Sequence, residues 1–216
     1  MSDSRLRKKI YQIFGEDVTG HDAEHIFRVE RIALKIAELE KGVALEYVSL
    51  LALCHEVGDR KFWPDADFYS VLSDFFSEIE LPEDKVKWLN QNIPRISYSK
   101  GMGANCPEVA IVQDADRIDA IGAIGIARCF ATGAWMNQPI YRETDSSGSS
   151  LEHFNDKLFK LCGKMNTESG RRLARERHEF LEQYYRQFLR EWYYGDSQNE
   201  HKIEQDIRTE HEQIFE

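Results

Sequence analysis

The sequence predicts an all-α fold, and three observations carry that prediction. Apolar residues recur at helical spacing through most of the chain, residues that start or stop helices stand at the ends of those stretches, and no segment alternates as a strand would. At 216 residues, with 42% hydrophobic and 31% charged composition, the chain can bury one continuous core. The expected organisation is one helical domain of about seven helices over residues 1–194, followed by an acidic extension over 195–216.

The elements follow in order. Asp22 has the side chain of a helix N-cap, and the helix after it runs to about Lys41, with His25, Val29, Ile32 and Ile36 on one face. Gly42 ends it. A second helix, about Leu45 to Val57, puts Val48, Leu51, Ala52 and His55 inward and stops at Gly58. Phe68, Val71, Leu72, Phe75 and Phe76 mark a third. Pro82 stands where a helix favours proline, ahead of Val86, Leu89 and Ile93, and Pro94 closes that helix. A loop follows to about Pro107. The fifth helix, about Pro107 to Thr132, is small or apolar on most faces and so reads as central and buried. Its Gly122 and Gly125 allow a neighbour close approach. After a Ser- and Gly-rich loop, a sixth helix begins near Leu151. The seventh spans about Glu168 to Tyr194 on Leu173, Phe180, Tyr184, Phe188 and Trp192.

Charge and composition exclude several classes. The net charge is −10, and residues 195–216 hold half of it, with seven acidic and two basic residues. No basic stripe is visible, which argues against a nucleic-acid polymer as partner. No apolar run approaches the roughly 20 residues that span a bilayer, and the N-terminus lacks the apolar region of a signal peptide. The four cysteines, at 54, 106, 129 and 162, have no paired spacing. A cytoplasmic protein with reduced thiols is the expectation.

Three helices place an ionisable group inside an apolar stripe. His25 opens the first stripe, His55 follows SLLALC with Glu56 beside it, and Asp116 shares a stripe with Val109, Val112, Ala123 and Phe130. Buried charge is costly unless paired or metal-bound, and imidazole with carboxylate suits Mn²⁺-, Fe²⁺-, Zn²⁺- or Mg²⁺-type ions. Singly, each has a plainer explanation. A lone histidine on an apolar face is more often a satisfied core residue, and Arg117 or Arg128 could partner Asp116. Periodicity alone stops at a helical domain with a candidate His/carboxylate cluster.

The motifs add more. GHDAEHIFRVERIALKIAELE, LLALCHEVGDRKF and VQDADRIDAIGAIGIAR together resemble the HD-domain phosphohydrolases, whose order is a histidine, a histidine–aspartate pair and a distal aspartate. Here that order reads His25, His55 with Glu56, and Asp116, with 30 residues from His25 to His55 and 60 from Glu56 to Asp116. ISYSKG and MNTESGRRLARERHEF are similar to segments of a compact bacterial branch, so the resemblance covers about residues 5–194. It implies an HD-type helical bundle, one divalent ion on His25, His55, Glu56 and Asp116, and hydrolysis of nucleoside triphosphates to monophosphate and pyrophosphate. Glutamate stands where the family has aspartate, and its extra methylene shifts the carboxylate by roughly one bond length against metal–ligand distances of about 2.0–2.2 Å.

On the same resemblance, Asp59 is the expected general acid/base, three residues after Glu56. Lys61, Lys100 and Arg117 are candidates for phosphate binding, since charge-building oxygens need fixed cations. The expected partner is a small phosphorylated substrate, a nucleotide, with no membrane and with a homodimer left open. The competing readings are a nucleotide phosphomonoesterase or phosphodiesterase, and an HD protein turned to regulation by Glu56.

Overall fold

A computed structural model describes residues 2–97, 101–143 and 146–194, and among them there is no strand. The chain partitions into two compact units, Met1–Asp116 and Arg117–Glu216. The all-α class therefore holds, with helix boundaries that differ in informative places.

In the first unit, α1 (Ser2–Phe14) is a helix that sequence periodicity did not single out. It buries Leu6, Ile10 and Phe14, spaced four apart, against α2 (Ala23–Ala37) and α3 (Leu45–Cys54). Each such side chain contributes about 1.5–3 kcal/mol by leaving water. Polar groups fix its register. Arg7 donates twice to the buried Glu30 of α2, at 2.8 and 2.7 Å, and Ser49 of α3 donates to the same carboxylate at 2.6 Å.

The partnership of α2 and α3 is the centre of this unit. Ile26, Val29, Ala33 and Ile36 meet a face carrying Val48, Leu51 and Ala52, all buried. Helix α2 ends at Ala37 rather than near Lys41, because Leu39 and Glu40 donate three residues back and tighten the chain before Gly42 at φ +72°. Likewise α3 ends at Cys54. His55 is its C-cap, and Val57 and Asp59 donate three residues back to Cys54 and Glu56. Gly58, at φ +83°, then turns the chain, and a Cβ there would lie 2.7 Å from the Phe68 ring. Helix α4 (Phe68–Glu78) is capped by Asp67, which accepts from Ser70 N at 2.9 Å. Pro82 occupies the N-cap of α5 (Glu83–Asn92), one place ahead of the expected first turn, and a 3-10 turn over Ile93–Arg95 holds Pro94. Helix α6 (Pro107–Asp119) anchors the preceding loop through Gln113, whose amide donates to Arg95 O at 2.6 Å and Met102 O at 2.9 Å.

The expected fifth helix is two helices. It breaks after Asp119, and α7 (Gly122–Trp135) begins again behind an extended Ile121 and Gly122 at φ +75°. In the second unit the break is held by two contacts: Asp119 pairs with Arg128 at 3.0 Å, and Arg177 donates to Ile118 O at 2.7 Å. A Cβ on Gly125 would meet Ala120 O at 2.2 Å, so the close neighbour this glycine admits is the chain's own carbonyl. Helix α7 is not buried all round either: Ala123 and Ile124 are exposed, so the stripe expected through Ala123 ends at the break.

Near Leu151 the sixth helix is irregular. Phe154–Leu158 is π-helical, α8 is the single turn Phe159–Leu161, and Cys162–Lys164 is a 3-10 turn. Helix α9 (Glu168–Trp192) starts at a Thr167 cap, whose hydroxyl accepts from Gly170 N at 2.9 Å. It packs on α7, and Phe130 of α7 meets Phe154, Tyr184 and Phe188 at ring distances of 6.1–6.3 Å. No described helix is long and apolar enough to cross a membrane. All four cysteines are free thiols, as their spacing implied. Lys100 and the 195–216 extension lie outside the described residues.

Candidate metal centre

Four side chains of the first unit converge. His25 stands in the first turn of α2, where Asp22 caps the helix by accepting from His25 N at 2.7 Å. His55 and Glu56 leave the end of α3, and Asp116 projects from α6. One donor atom from each of the four lies within 4.8 Å of every other. Asp114, two residues before Asp116, is fully buried outside this group, as a rotation of about 200° around the helix requires.

The internal distances suit an ion rather than direct hydrogen bonds. Nε2 of His25 lies 3.4 Å from Glu56 Oε1 and 3.6 Å from Asp116 Oδ1, and Nε2 of His55 lies 3.4 and 3.9 Å from the same atoms. Hydrogen bonds of this kind measure about 2.7–3.2 Å. Donors around an ion with bonds of about 2.0–2.2 Å sit roughly 3–4.3 Å apart, which brackets these values. The His55 tautomer also fits. Its Nδ1 donates to Ala52 O at 2.7 Å, so in the neutral ring, the form that ligates a metal, the lone pair is on Nε2, the nitrogen that faces the carboxylates. That Nε2 is buried and makes no hydrogen bond. The residues present therefore fit a divalent cation.

Charge is tightly coupled here. Burial opposes protonation of His55, but Glu56 and Asp116 outweigh it and push its pKa up to about 9. Burial likewise opposes ionisation of Glu56, yet the His25 and His55 rings hold its carboxyl well below the usual carboxylate range.

The other expected residues are placed differently. Asp59 is exposed, and its Oδ1 accepts from Lys61 N at 2.9 Å, closing the turn after Gly58. Lys61 is engaged: its ammonium contacts Thr19 Oγ1, His21 Nδ1 at 2.9 Å and Asp17 Oδ1 at 3.3 Å. Arg117 belongs to the second unit and donates to Lys164 O at 2.5 Å. Asp17 and Thr19 were not legible as site residues. Asp-x-Thr-Gly reads as a turn, and nothing in it points to a lysine more than forty positions away.

Comparison with known proteins identifies the family. The HD domain family matches residues 22–121. The YpgQ protein of Bacillus subtilis is 36% identical over 190 residues, covering 85% of this chain and 90% of that protein. Its crystal structure in complex with ADP superposes at a TM-score of 0.72 and 32% identity, covering 90% of this chain and 99% of that one. An HD-superfamily hydrolase from Bacillus thuringiensis superposes at 0.70 and 32% identity, over 90% of this chain and all of the other. With its His/carboxylate cluster assembled from the motif positions, the chain belongs to the HD domain family and is a metal-dependent phosphohydrolase.

Proposed function

We propose that this protein hydrolyses nucleoside triphosphates to monophosphate and pyrophosphate, with one divalent ion held by His25, His55, Glu56 and Asp116. The observation that carries the reading is the four-residue cluster, with imidazole–carboxylate distances of 3.4–3.9 Å and a His55 tautomer set for ligation. The ADP complex of the Bacillus subtilis relative supports a nucleotide as the ligand.

A divalent ion so held supplies Lewis-acid polarisation of a phosphoryl oxygen and acidifies water. The rest falls to the chain. Water attacks the α-phosphorus, the bond to the α–β bridging oxygen breaks, and pyrophosphate leaves with the electron pair. Asp59 is assigned to accept the water's proton: it is exposed, and it is joined to Glu56 by the turn in which Asp59 N donates to Glu56 O at 3.1 Å. Lys61 and Arg117 are assigned to offset the phosphate charge, and Lys100 joins them on its place in the motif. The domain bearing this activity is residues 1–194.

A panel of nucleoside tri-, di- and monophosphates and cyclic nucleotides, assayed with Mn²⁺, Mg²⁺, Fe²⁺ and Zn²⁺, tests the reading. Equimolar monophosphate and pyrophosphate from a triphosphate is the expected product pair. Release of orthophosphate alone, or turnover confined to cyclic or monophosphate substrates, overturns it. Elemental analysis tests the cage: His25→Ala and Asp116→Ala should lose the bound ion, while Asp114→Asn keeps it.

A further inference from the structure

The loop joining α1 to α2 is organised by one carboxylate. Asp17 accepts from Thr19 N at 3.0 Å, Thr19 Oγ1 at 2.8 Å and His21 N at 2.9 Å. These bonds fold residues 17–21 into a tight turn, in which Gly20 takes φ +86°. The same carboxylate faces the Lys61 ammonium at 3.3 Å, and that ammonium also contacts Thr19 Oγ1 and His21 Nδ1. Two loops thus meet at one point. One precedes the ligand position His25 by four residues, and the other follows Glu56 by five. The clamp is sheltered: the Asp17 side chain is 10% exposed, Lys61 20% and Thr19 2%. Charge-assisted hydrogen bonds of this kind are stronger than neutral ones and hold their geometry where water is scarce.

The consequence falls on His21. Its ring stands edge-on to His25, with centroids 5.9 Å apart, and His25 stands 5.3 Å from His55. An ammonium donates hydrogen bonds and accepts none. Facing Lys61, Nδ1 of His21 offers its lone pair, so the ring hydrogen of the neutral imidazole sits on Nε2. The two nitrogens lie on opposite sides of the ring, so the Nε2–H points away from Lys61. A fixed N–H donor one ring away from a metal ligand is suited to an anionic phosphoryl oxygen.

We propose that Asp17 is a positioning residue: with Thr19 and Lys61 it holds His21 as an Nε2–H donor to the phosphates of the substrate. This rests on the nucleoside-triphosphate reading, and adds to it a phosphate donor and the groups that orient it. The clamp also shares out the Lys61 charge, which acts on substrate together with His21 rather than as a lone mobile cation.

The test has a spectroscopic arm and a kinetic arm. Nitrogen-15 NMR of the histidine rings, on full-length protein loaded with Zn²⁺, reports which nitrogen of His21 carries the hydrogen, the resonance being assigned with His21→Ala. Wild type should show Nε2–H. Asp17→Asn and Lys61→Met should both mix the tautomers while the bound Zn²⁺ stays at wild-type stoichiometry. Lys61→Met leaves the backbone hydrogen bonds of the turn alone, so it serves if Asp17→Asn fails to fold. In the kinetic arm, Asp17→Asn should lower kcat on a nucleoside triphosphate about 10- to 100-fold, with a smaller change in KM, as a misplaced group does. His21→Gln, which keeps an N–H donor, should retain more activity than His21→Ala. A hydrogen on Nδ1 in wild type overturns the proposal, as does an unchanged kcat in both Asp17→Asn and Lys61→Met. A wild type inert on every triphosphate overturns the functional reading and the phosphate role of His21. The NMR arm then still decides whether Asp17 and Lys61 orient the ring.

Discussion

At the scale of single residues, Glu56 separates this chain from the pattern of its family, and its position explains how glutamate is accommodated. Its Oε1 is equally distant, at 3.4 Å, from the reactive nitrogens of His25 and His55, so the longer side chain still delivers one oxygen to the centre of the group. Glu56→Asp should therefore keep metal and measurable turnover, since the ion can absorb a displacement of about one bond length. Glu56→Gln removes a ligand charge and should weaken metal binding by more than the roughly 10–100-fold typical of losing an outer-shell partner. Isothermal titration of both variants checks this, and wild-type affinity in Glu56→Gln would remove Glu56 from the ligand set. His55 supplies a pH prediction with a definite sign. In the metal-free protein its pKa is raised from 6.5 to about 9, so near pH 7 the ring is protonated. A metal ligand must be neutral, so ion uptake expels that proton. Affinity should rise about tenfold per unit between pH 7 and 9 and level off above. Titrations in buffers of different ionisation enthalpy should count about one proton released at pH 7, and a count of zero would contradict the assignment.

The elements show where local rules end. One cap was legible: Asp22 at the start of α2 satisfies a donor of its first turn, a pattern confined to four consecutive residues. The break between α6 and α7 was not, because VAIVQDADRIDAIGAIGIARCFA has helical periodicity throughout. One contact at the break comes from far along the chain, where Arg177 of α9 takes the Ile118 carbonyl, and the other from within the segment itself, where Arg128 takes Asp119. Gly122 enables the break through its φ of +75°, and a Cβ there would sit 3.1 Å from Arg177 Cβ and Cγ. Gly122→Ala should cost about 1–3 kcal/mol, from the left-handed backbone together with that crowding. Chemical denaturation measures it, and a variant as stable as wild type would mean that the backbone there relaxes freely.

For the whole molecule, charge and pattern divide the sequence near Gly195. The first 194 residues carry the motif and the amphipathic helices, whereas residues 195–216 carry a balance of −5 and lose helical periodicity. We expect deletion of residues 196–216 to leave the melting temperature within a few degrees, and turnover near that of the full chain, because such a composition favours a solvated extension. Ile203, Ile207 and Ile214 are the residues that would contradict this by packing. A large fall in melting temperature, or a change in oligomer size by light scattering, would show that they do.

Sequence by itself determined the helical class, the Asp22 cap and the types of the four candidate ligands. Each of these depends on neighbours a few positions apart, where backbone geometry makes spacing equivalent to direction. The family motif, not periodicity, named His25, His55, Glu56 and Asp116 as one set; only the tertiary structure brings their donor atoms within 4.8 Å of one another across intervals of 30 and 60 residues. Tertiary structure also decided that Lys61 reaches back to Asp17, Thr19 and His21. The reason is physical: a long side chain on a turn chooses its partner from whatever packing brings within reach, and periodicity holds no record of that choice.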